Sequence, residues 1–322
     1  MPDTPSLDRL RAAAARVYAV MPPTPQYCWP LLSQRAGCEV WVKHENHTPI
    51  GAFKLRGGIV YMEALRRRAP ATTGVIAATR GNHGQSVACA ATRAGLTSTL
   101  VVPHGNSAEK NAAMRAFGAE LIEHGHDFQA ALEHARDLAA ARGLHFVESF
   151  HDDLVLGVAS YGLEFLSACP DLATVYVPIG LGSGICGVIA ARDALGLKTE
   201  VVGVCAEGAA AYALSFARGA PVSTNAAETL ADGMACRVPE PAAVAVINRG
   251  AERVVTVRED EIKAAMRAYY SDTHNLAEGA GAAALAALMQ ERRAMAGRNQ
   301  VGVVLSGGNI DRPLYQAVLA EG

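Results

Sequence analysis

A single lysine, Lys54, stands in a glycine-flanked and largely apolar stretch, Gly51–Gly58. The flanking glycines would let the backbone approach a ligand closely. Desolvation in such a setting would lower the pKa of the lysine amine and make it a nucleophile toward an aldehyde. Because most lysines are exposed, a surface lysine in a loop is the alternative interpretation of Lys54 taken alone.

A second candidate site is the turn Thr79–Gln85 (TRGNHGQ), which follows an apolar β-branched run and opens a helical stretch. Backbone N–H groups at the start of a helix, together with the helix dipole, favour an anion. The turn therefore suits a ligand carboxylate. Simple capping of the helix by Thr79 or Asn82 is the alternative.

A third turn, Gly180–Gly187 (GLGSGICG), lies between another apolar run and a helical stretch. Its backbone amides and the Ser183 hydroxyl could cradle a phosphate. The same turn also contains a dinucleotide fingerprint, Gly182-x-Gly184-x-x-Gly187, and Glu207 follows twenty residues later. That spacing fits a Rossmann site, so a nicotinamide-dependent oxidoreductase remains a competing prediction.

The fourth turn, Ser306–Asn309 (SGGN), ends the last apolar run of the chain. A serine hydroxyl there could face a ring nitrogen in a cleft. An ordinary turn from strand to loop would produce the same residue types.

The elements that must position these turns alternate along the chain, which favours right-handed βαβ units and an α/β fold with doubly wound parallel sheets. Several of the apolar runs have no polar face, as expected of parallel strands covered by helices on both sides. The predicted strands are Val75–Thr79, Thr99–Val102, Val175–Ile179, Val201–Cys205 and Val301–Leu305. The predicted helices are Asn82–Ala94, Asp127–Arg142, Gly184–Leu195 and Glu259–Asp272.

Composition excludes several classes of protein. The 322 residues are 50% hydrophobic and carry a formal net charge of −2, so nothing indicates a nucleic-acid partner. The seven cysteines form no CxxC pair, which favours reduced thiols over a metal centre. Without a signal pattern or an apolar run long enough to span a bilayer, we expect a soluble, cytoplasmic protein with no membrane partner.

Taken in order, the motifs resemble those of the fold-type-II pyridoxal-phosphate (PLP) enzymes, in particular the serine/threonine dehydratase and serine racemase group. The resemblance runs from about Arg35 to Asn309 and has Ala52 where serine is common in the family. Its motifs are Lys43–Asn46 (KHEN), Gly51–Gly57 (GAFKLRG), Gly81–Gln85 (GNHGQ), Glu228–Gly233 (ETLADG) and Ser306–Asn309 (SGGN).

The resemblance implies a tryptophan synthase β-like fold, with PLP bound covalently to Lys54. It implies that Lys54 moves the Cα proton, that Asn82 binds the phenolic oxygen and that Ser306 faces the pyridine nitrogen. A neutral serine there makes the ring a weaker electron sink, which favours prompt elimination over transamination. The implied cofactor-binding residues are Phe53, Lys54, Asn82, Gly180, Leu181, Gly182, Ser183, Gly184, Glu278, Ser306 and Gly307. The implied substrate-binding residues are Thr79, Arg80, Gly81, Asn82 and His83.

Two departures from the family pattern bear on activity. Arg80 occupies the position where serine racemases carry a serine, and an always-charged guanidinium is a poor proton shuttle. Arg80 could instead meet a second substrate carboxylate, or be a solvated surface charge. Many relatives bind a divalent cation near Glu-x-x-x-Ala-x-Asp; here Glu207 remains but Ala213 replaces the aspartate, which makes that cation doubtful.

We therefore predict a PLP-dependent dehydratase that converts a β-hydroxy-α-amino acid to a 2-oxo acid and ammonia. L-Threonine and L-serine are the default substrates, and 3-phenylserine is a bulkier candidate. Alternatives are 3-hydroxyaspartate ammonia-lyase activity, racemisation, a non-catalytic PLP carrier and the nicotinamide-dependent oxidoreductase. We further expect a large PLP-binding domain (1–68 and 152–322), an inserted small substrate-binding domain (69–151) and a homodimer.

Overall fold

The computed structural model describes residues 4–295, 297 and 300–321. The strands in these ranges are β1 (Gln26–Cys28), β2 (Glu39–His44), β3 (Gly74–Ala78), β4 (Thr97–Val102), β5 (Glu120–Glu123), β6 (His145–Phe146), β7 (Thr174–Pro178), β8 (Glu200–Ala206), β9 (Arg253–Val257) and β10 (Gln300–Leu305). The α-helices are α1 (Leu7–Tyr18), α2 (Pro30–Ala36), α3 (Lys54–Arg68), α4 (Asn82–Arg93), α5 (Ala108–Ala116), α6 (Phe128–Arg142), α7 (Asp152–Ala168), α8 (Ser183–Ala194), α9 (Ala211–Arg218), α10 (Pro241–Gly250), α11 (Glu259–Thr273), α12 (Gly279–Met295) and α13 (Arg312–Ala320).

Every predicted strand and helix is present, with ends within two residues of the observed ones. Local chemistry explains this agreement at α6. The Asp127 carboxylate accepts a hydrogen bond from the Ala130 amide, and Gly143 ends the helix at a φ of 64°. The antiparallel edge strand β1 was not predicted, because three residues are too few to establish a period.

The larger sheet has the order β1-β2-β10-β7-β8-β9 and is parallel except at β1. Alternate residues of β7 enter two different cores. Val175 and Val177 pack with α1, α3, α7 and α8 on one face, whereas Tyr176 packs with α11 and α12 on the other. Helices therefore cover both faces of this sheet, as doubly wound α/β folds require.

The smaller sheet has the order β5-β4-β3-β6, and all its strands are parallel. Val75 and Ala77 of β3 pack toward α4, whereas Ile76 and Ala78 pack toward α6. Its strands all lie between residues 74 and 146, and those of the larger sheet lie outside that segment. The exact domain division, 69–151 against the rest, remains a prediction.

A buried ion network fixes the first turn of α3. The Arg56 guanidinium donates to both carboxylate oxygens of Glu45 and to both of Glu164, at 2.6–3.0 Å. Lys43 adds a contact of 2.5 Å to Glu164. Arg56 and Lys43 are fully buried. These bonds join β2, α3 and α7, so the start of α3 has a defined position beside the larger sheet.

None of the helices in the described ranges is both long and apolar enough to cross a membrane.

Candidate active site

Lys54 is the first residue of α3 and lies at the carboxyl end of the larger sheet. Just before it, the Phe53 amide donates to the carbonyl of Ser306 at 3.1 Å, and Ala52 bridges Gly307. Burial lowers the pKa of the Lys54 amine to about 8, although the charge of Glu278 opposes this shift. At pH 7 about a tenth of the amine is therefore neutral, and nucleophilic, and this fraction rises toward pH 8.

The turn after β3 brings Asn82 to the same cleft. Asn82 begins α4, and its amide nitrogen donates to Glu278 Oε1 at 2.6 Å. Its amide oxygen accepts a hydrogen bond of 2.8 Å from Asn309. Beneath the turn, the Thr79 hydroxyl accepts hydrogen bonds from the amides of Gly81 and Gly84, at 3.1 and 2.9 Å. The Thr79 hydroxyl therefore shapes the turn.

The other substrate-turn residues lie in different surroundings. Burial, followed by the charge of Lys54, lowers the pKa of His83 to about 3, so its imidazole is neutral. His83 Nε2 is buried and has no hydrogen-bond partner among the described residues. Arg80 is exposed, and its guanidinium has no partner in the described part of the chain.

The glycine turn follows β7 and leads into α8. Gly182 has a φ of 94°, which favours glycine, and Ser183 begins the helix. A Cβ on Gly180 would lie 2.3 Å from the carbonyl oxygen of Gly233. The Tyr212 hydroxyl donates to the carbonyl of Leu181 at 2.9 Å and holds the turn in place. Backbone amides at the start of α8 are thus free to bind an anion.

Ser306 follows β10, is 5% exposed and lines the same cleft as the glycine turn. The backbone beside it is tightly packed, because a Cβ on Gly307 would lie 2.4 Å from Glu278 Oε1. Glu278 is itself 3% exposed, and burial raises its pKa to about 7. The predicted residues that line this one cleft are Phe53, Lys54, Asn82, Gly180, Leu181, Gly182, Ser183, Gly184, Glu278 and Ser306.

Two charged residues beside Glu278 were not assigned a role from the sequence. Lys110 of α5 is 7% exposed, and its amine lies 2.5 Å from Asp232 Oδ2. Asp232 stands within the ETLADG segment, so that motif could have singled it out. No pattern in the sequence marks Lys110, because its partner is 122 residues away.

The proposed cation ligand Glu207 lies just after β8, and its side chain is exposed. Within the described ranges, no three histidine, cysteine, aspartate or glutamate side chains come together to hold a metal ion.

These residues fit PLP. The cleft combines a lysine amine of lowered pKa, which suits covalent attachment of an aldehyde, with a glycine turn at a helix start, which suits a phosphate. The chemistry of the donors also fits a pyridine ring, since a hydroxyl at Ser306 can meet its nitrogen.

Comparisons with known proteins agree with this chemistry. A family model described as "Pyridoxal-phosphate dependent enzyme" matches residues 19–307. L-threonine ammonia-lyase of Geobacter sulfurreducens is 38% identical over 291 residues, which are 90% of this chain and 72% of that protein. The processed form of threonine deaminase isoform 2 from Solanum lycopersicum superposes with a TM-score of 0.89 at 29% identity, over 98% of this chain and 94% of that one. Maize serine racemase superposes with a TM-score of 0.91 at 25% identity, over 99% and 98% of the two chains.

The fold and the cleft define a PLP-dependent enzyme of fold type II. The chain belongs to the serine/threonine dehydratase family of these enzymes, its cofactor is PLP, and it is a lyase. The competing prediction of a nicotinamide-dependent oxidoreductase is wrong, and so is that of a non-catalytic carrier. The glycine pattern was ambiguous because an exposed backbone at a helix start binds any phosphate, whichever cofactor carries it.

Proposed function

We propose that this lyase is an ammonia-lyase for β-hydroxy-α-amino acids, with L-threonine, L-serine or a bulkier 3-hydroxy amino acid such as 3-phenylserine as its substrate. The observation that carries the proposal is that one cleft is lined by both the Lys54 amine, with its lowered pKa, and the Ser306 hydroxyl. The likeness to a protein named L-threonine ammonia-lyase supports the same chemistry.

We assign the cofactor contacts as follows. Lys54 would hold the cofactor covalently, the Gly180–Gly184 turn would bind its phosphate, Asn82 would bind the phenolic oxygen, and Ser306 would meet the ring nitrogen. Phe53, Leu181, Glu278 and Gly307 complete the site. PLP, when bound, withdraws electrons from the Cα of the attached amino acid, which weakens the Cα–H bond. Because Ser306 does not enforce protonation of the ring, that effect is brief and favours loss of a β-substituent.

The residues of the chain then bind the substrate and move its proton. The first-turn amides of α4, within Thr79–His83, bind the substrate carboxylate. The amine of Lys54, freed when the substrate amine replaces it, takes the Cα proton. The β-carbon–oxygen bond breaks, and the protonated Lys54 amine would return its proton to the departing hydroxyl, which leaves as water. The enamine product then takes up one water molecule and gives a 2-oxo acid and ammonia. A neutral His83 adds no positive charge beside Lys54, so it does not lower the pKa of the Lys54 amine further.

Arg80 is the residue that separates the candidate substrates. It lies next to the proposed carboxylate site, is exposed, and has no partner among the described side chains. A fixed positive charge there would pair with a second carboxylate, which makes 3-hydroxyaspartate an alternative substrate. The same charge makes Arg80 a poor proton shuttle on the opposite face, so we expect elimination to exceed racemisation.

The test is a 2-oxo-acid assay with L-threonine, L-serine, 3-phenylserine and 3-hydroxyaspartate, with chiral analysis of the remaining substrate. Lys54→Ala should abolish both turnover and the visible absorbance of the bound cofactor. If 3-hydroxyaspartate is the substrate, Arg80→Ala should raise its KM at least tenfold and leave that of L-serine unchanged. The matched control is Arg93→Ala, which replaces an exposed arginine at the far end of α4, the helix that follows Arg80. Release of the opposite enantiomer faster than of 2-oxo acid would contradict the proposal.

Several broader features remain part of the proposal. We propose that the segment 69–151 acts as a small substrate-binding domain inserted in a larger PLP-binding domain, 1–68 and 152–322. We also propose a homodimer that acts in the cytoplasm on a small-molecule amino acid. A divalent cation at Glu207 is doubtful because Ala213 supplies no oxygen ligand from its side chain.

A further inference from the structure

Lys110 reaches Glu278 from the smaller sheet's side, and its amine lies between the carboxylates of Glu278 and Asp232. It lies 2.5 Å from Asp232 Oδ2 and 3.7 Å from Glu278 Oε2. Its aliphatic stem packs beneath the substrate turn, where a Cβ on Gly81 would lie 2.6 Å from Lys110 Cδ. Lys110 therefore touches the turn and faces the buried Glu278 at the same time.

The position of Lys110 is fixed by other contacts of α5. The Ser107 hydroxyl, which also caps the helix, hydrogen-bonds to Asp311. The Glu109 carboxylate accepts a hydrogen bond of 3.0 Å from the Arg312 amide. Both partners lie at the start of α13, on the larger sheet's side of the cleft. The first turn of α5 is thus held across the cleft, and Lys110 has little freedom to move away from Glu278.

Glu278 is a carboxyl group whose charge depends on its neighbours. Lys110 faces it from α5, Asp232 from the loop before α10, Asn82 from α4 and Lys54 from α3. Burial raises the pKa of Glu278, Lys110 opposes that effect, and Asp232 adds to it, with a net value of about 7. Lys110 therefore favours the ionised form of Glu278, whereas Asp232 favours the neutral form.

We propose that Lys110 is a positioning residue that holds Glu278 in its anionic form beside Lys54, and that it thereby sets how readily the Lys54 amine takes up a proton. The contacts of α5 with Asp311 and Arg312 keep Lys110 in place. The inference rests on the proposed function, in which Lys54 is the group that bonds to the cofactor and moves the Cα proton.

The proposal predicts the sign of the effect. In Lys110→Met, Glu278 would lose its counter-charge and become neutral, and the amine of Lys54 would lose the anion that favours its protonated form. The pKa of Lys54 would then fall. A direct effect of removing a positive charge has the opposite sign, because one fewer cation nearby would raise the pKa of Lys54. Only a route through Glu278 gives a fall.

The measurement is the rate at which PLP reassociates with the full-length chain after the cofactor has been removed, followed by its visible absorbance against pH. Only the neutral amine of Lys54 reacts, so the midpoint of the pH profile reports its pKa. In Lys110→Met the midpoint should fall by about half a unit, and reassociation at pH 7 should become about two- to threefold faster. A midpoint that rises or stays unchanged would overturn the proposal. A rate change that is equal at every pH would indicate a merely structural role and would overturn it too.

Two further variants test the route through Glu278. Glu278→Gln should lower the midpoint by a similar amount, and adding Lys110→Met to it should produce no further fall. Additive falls would contradict the proposal. Lys110→Arg keeps the charge and should keep the wild-type midpoint, whereas a fall equal to that of Lys110→Met would count against the charge as the cause.

If circular dichroism shows that Lys110→Met does not fold, Asp232→Asn provides a second test. Asp232→Asn removes an anion that opposes ionisation of Glu278, so its midpoint should not fall; a fall of half a unit would overturn the proposal. Lys54→Ala separates this inference from the proposed function. If Lys54→Ala still bonds PLP covalently, the assignment of Lys54 fails, whatever the Lys110 variants show.

Discussion

Replacing the buried Arg56 with methionine tests what holds the first turn of α3 and the lysine that begins it. In Arg56→Met the side chain stays long and apolar, so the cavity is small, but Glu45 and Glu164 lose their shared partner. The arginine makes four hydrogen bonds of 2.6–3.0 Å to these two carboxylates. It also donates to the hydroxyls of Ser160 and Thr24, at 2.9 and 3.1 Å.

The expected cost follows from burial. The side chains of Arg56, Glu45 and Glu164 are 0%, 0% and 7% exposed, so water cannot replace the lost bonds. Removing one partner of a buried ion pair typically destabilises a protein by about 3–5 kcal/mol. Lys43 remains in contact with Glu164 and supplies only part of the lost compensation. We therefore expect Arg56→Met to lower the free energy of unfolding by about 3–5 kcal/mol at pH 7.

The stability that Glu164 contributes depends on pH. Burial alone would raise the pKa of Glu164, but the charges of Arg56 and Lys43 outweigh burial and hold it below the ordinary 4.5. Its stabilising contribution is therefore present at neutral pH and is lost as the pH falls through that lowered pKa. Without Arg56 the pKa would rise above 4.5, and protonation would relieve the buried charge. The difference in the free energy of unfolding between wild type and variant should therefore become smaller toward pH 5. The decrease is at most about 1.4 kcal/mol per pH unit for each proton that the variant takes up.

Urea unfolding at pH 7 and pH 5 measures both effects, with the cofactor content matched between the samples. Arg67→Met on the same helix is the control, because the Arg67 side chain is 58% exposed and, among the described residues, forms an ion pair only with Glu63 one turn away. That exposed pair should contribute less than about 1 kcal/mol. Two results would refute the reasoning. One is a loss of unfolding free energy in Arg56→Met no larger than that in Arg67→Met, and the other is a difference between wild type and Arg56→Met that is the same at pH 7 and pH 5.

Three further predictions concern the cofactor site. Gly180→Ala places a Cβ 2.3 Å from the Gly233 carbonyl oxygen and should weaken PLP affinity more than tenfold in a fluorescence titration. The control is Gly196→Ala, at a φ of 66°, where the added Cβ would have no atom within 4 Å. It should cost about 1 kcal/mol of stability and leave the PLP affinity unchanged. Tyr212→Phe removes the hydrogen bond to the Leu181 carbonyl and leaves the Glu240 amide without its acceptor. We therefore expect the free energy of unfolding to fall by about 1–3 kcal/mol and PLP to bind more weakly. If both quantities are unchanged, the hydroxyl does not hold the turn. Ser306→Asp should slow 2-oxo-acid formation and convert part of the cofactor to its amine form during turnover, and a variant that keeps wild-type partition would contradict the role given to Ser306.

Local signals explain why so much of the fold follows from the sequence. The strand at Val201–Cys205 and the helix ending at Arg142 were predicted from apolar runs that alternate with helical stretches, and these patterns arise between residues that are close in sequence. Lys54 was identified from its glycine-flanked motif together with the turns that follow it in order. The short strand β1 was not predicted, because it is stabilised by pairing with β2 and not by its own pattern.

The sequence by itself determined the element order, the family motifs and the residues that could carry PLP chemistry, since these depend on residue type and spacing along the chain. Only the tertiary structure brought Asn82 to Glu278, which is 196 residues away, and placed Lys110 between Glu278 and Asp232. The reason is physical: the charge of a buried carboxyl depends on which groups packing places within a few ångströms of it. Sequence periodicity carries no record of such neighbours, and packing alone makes Glu278 a group whose ionisation can bear on Lys54.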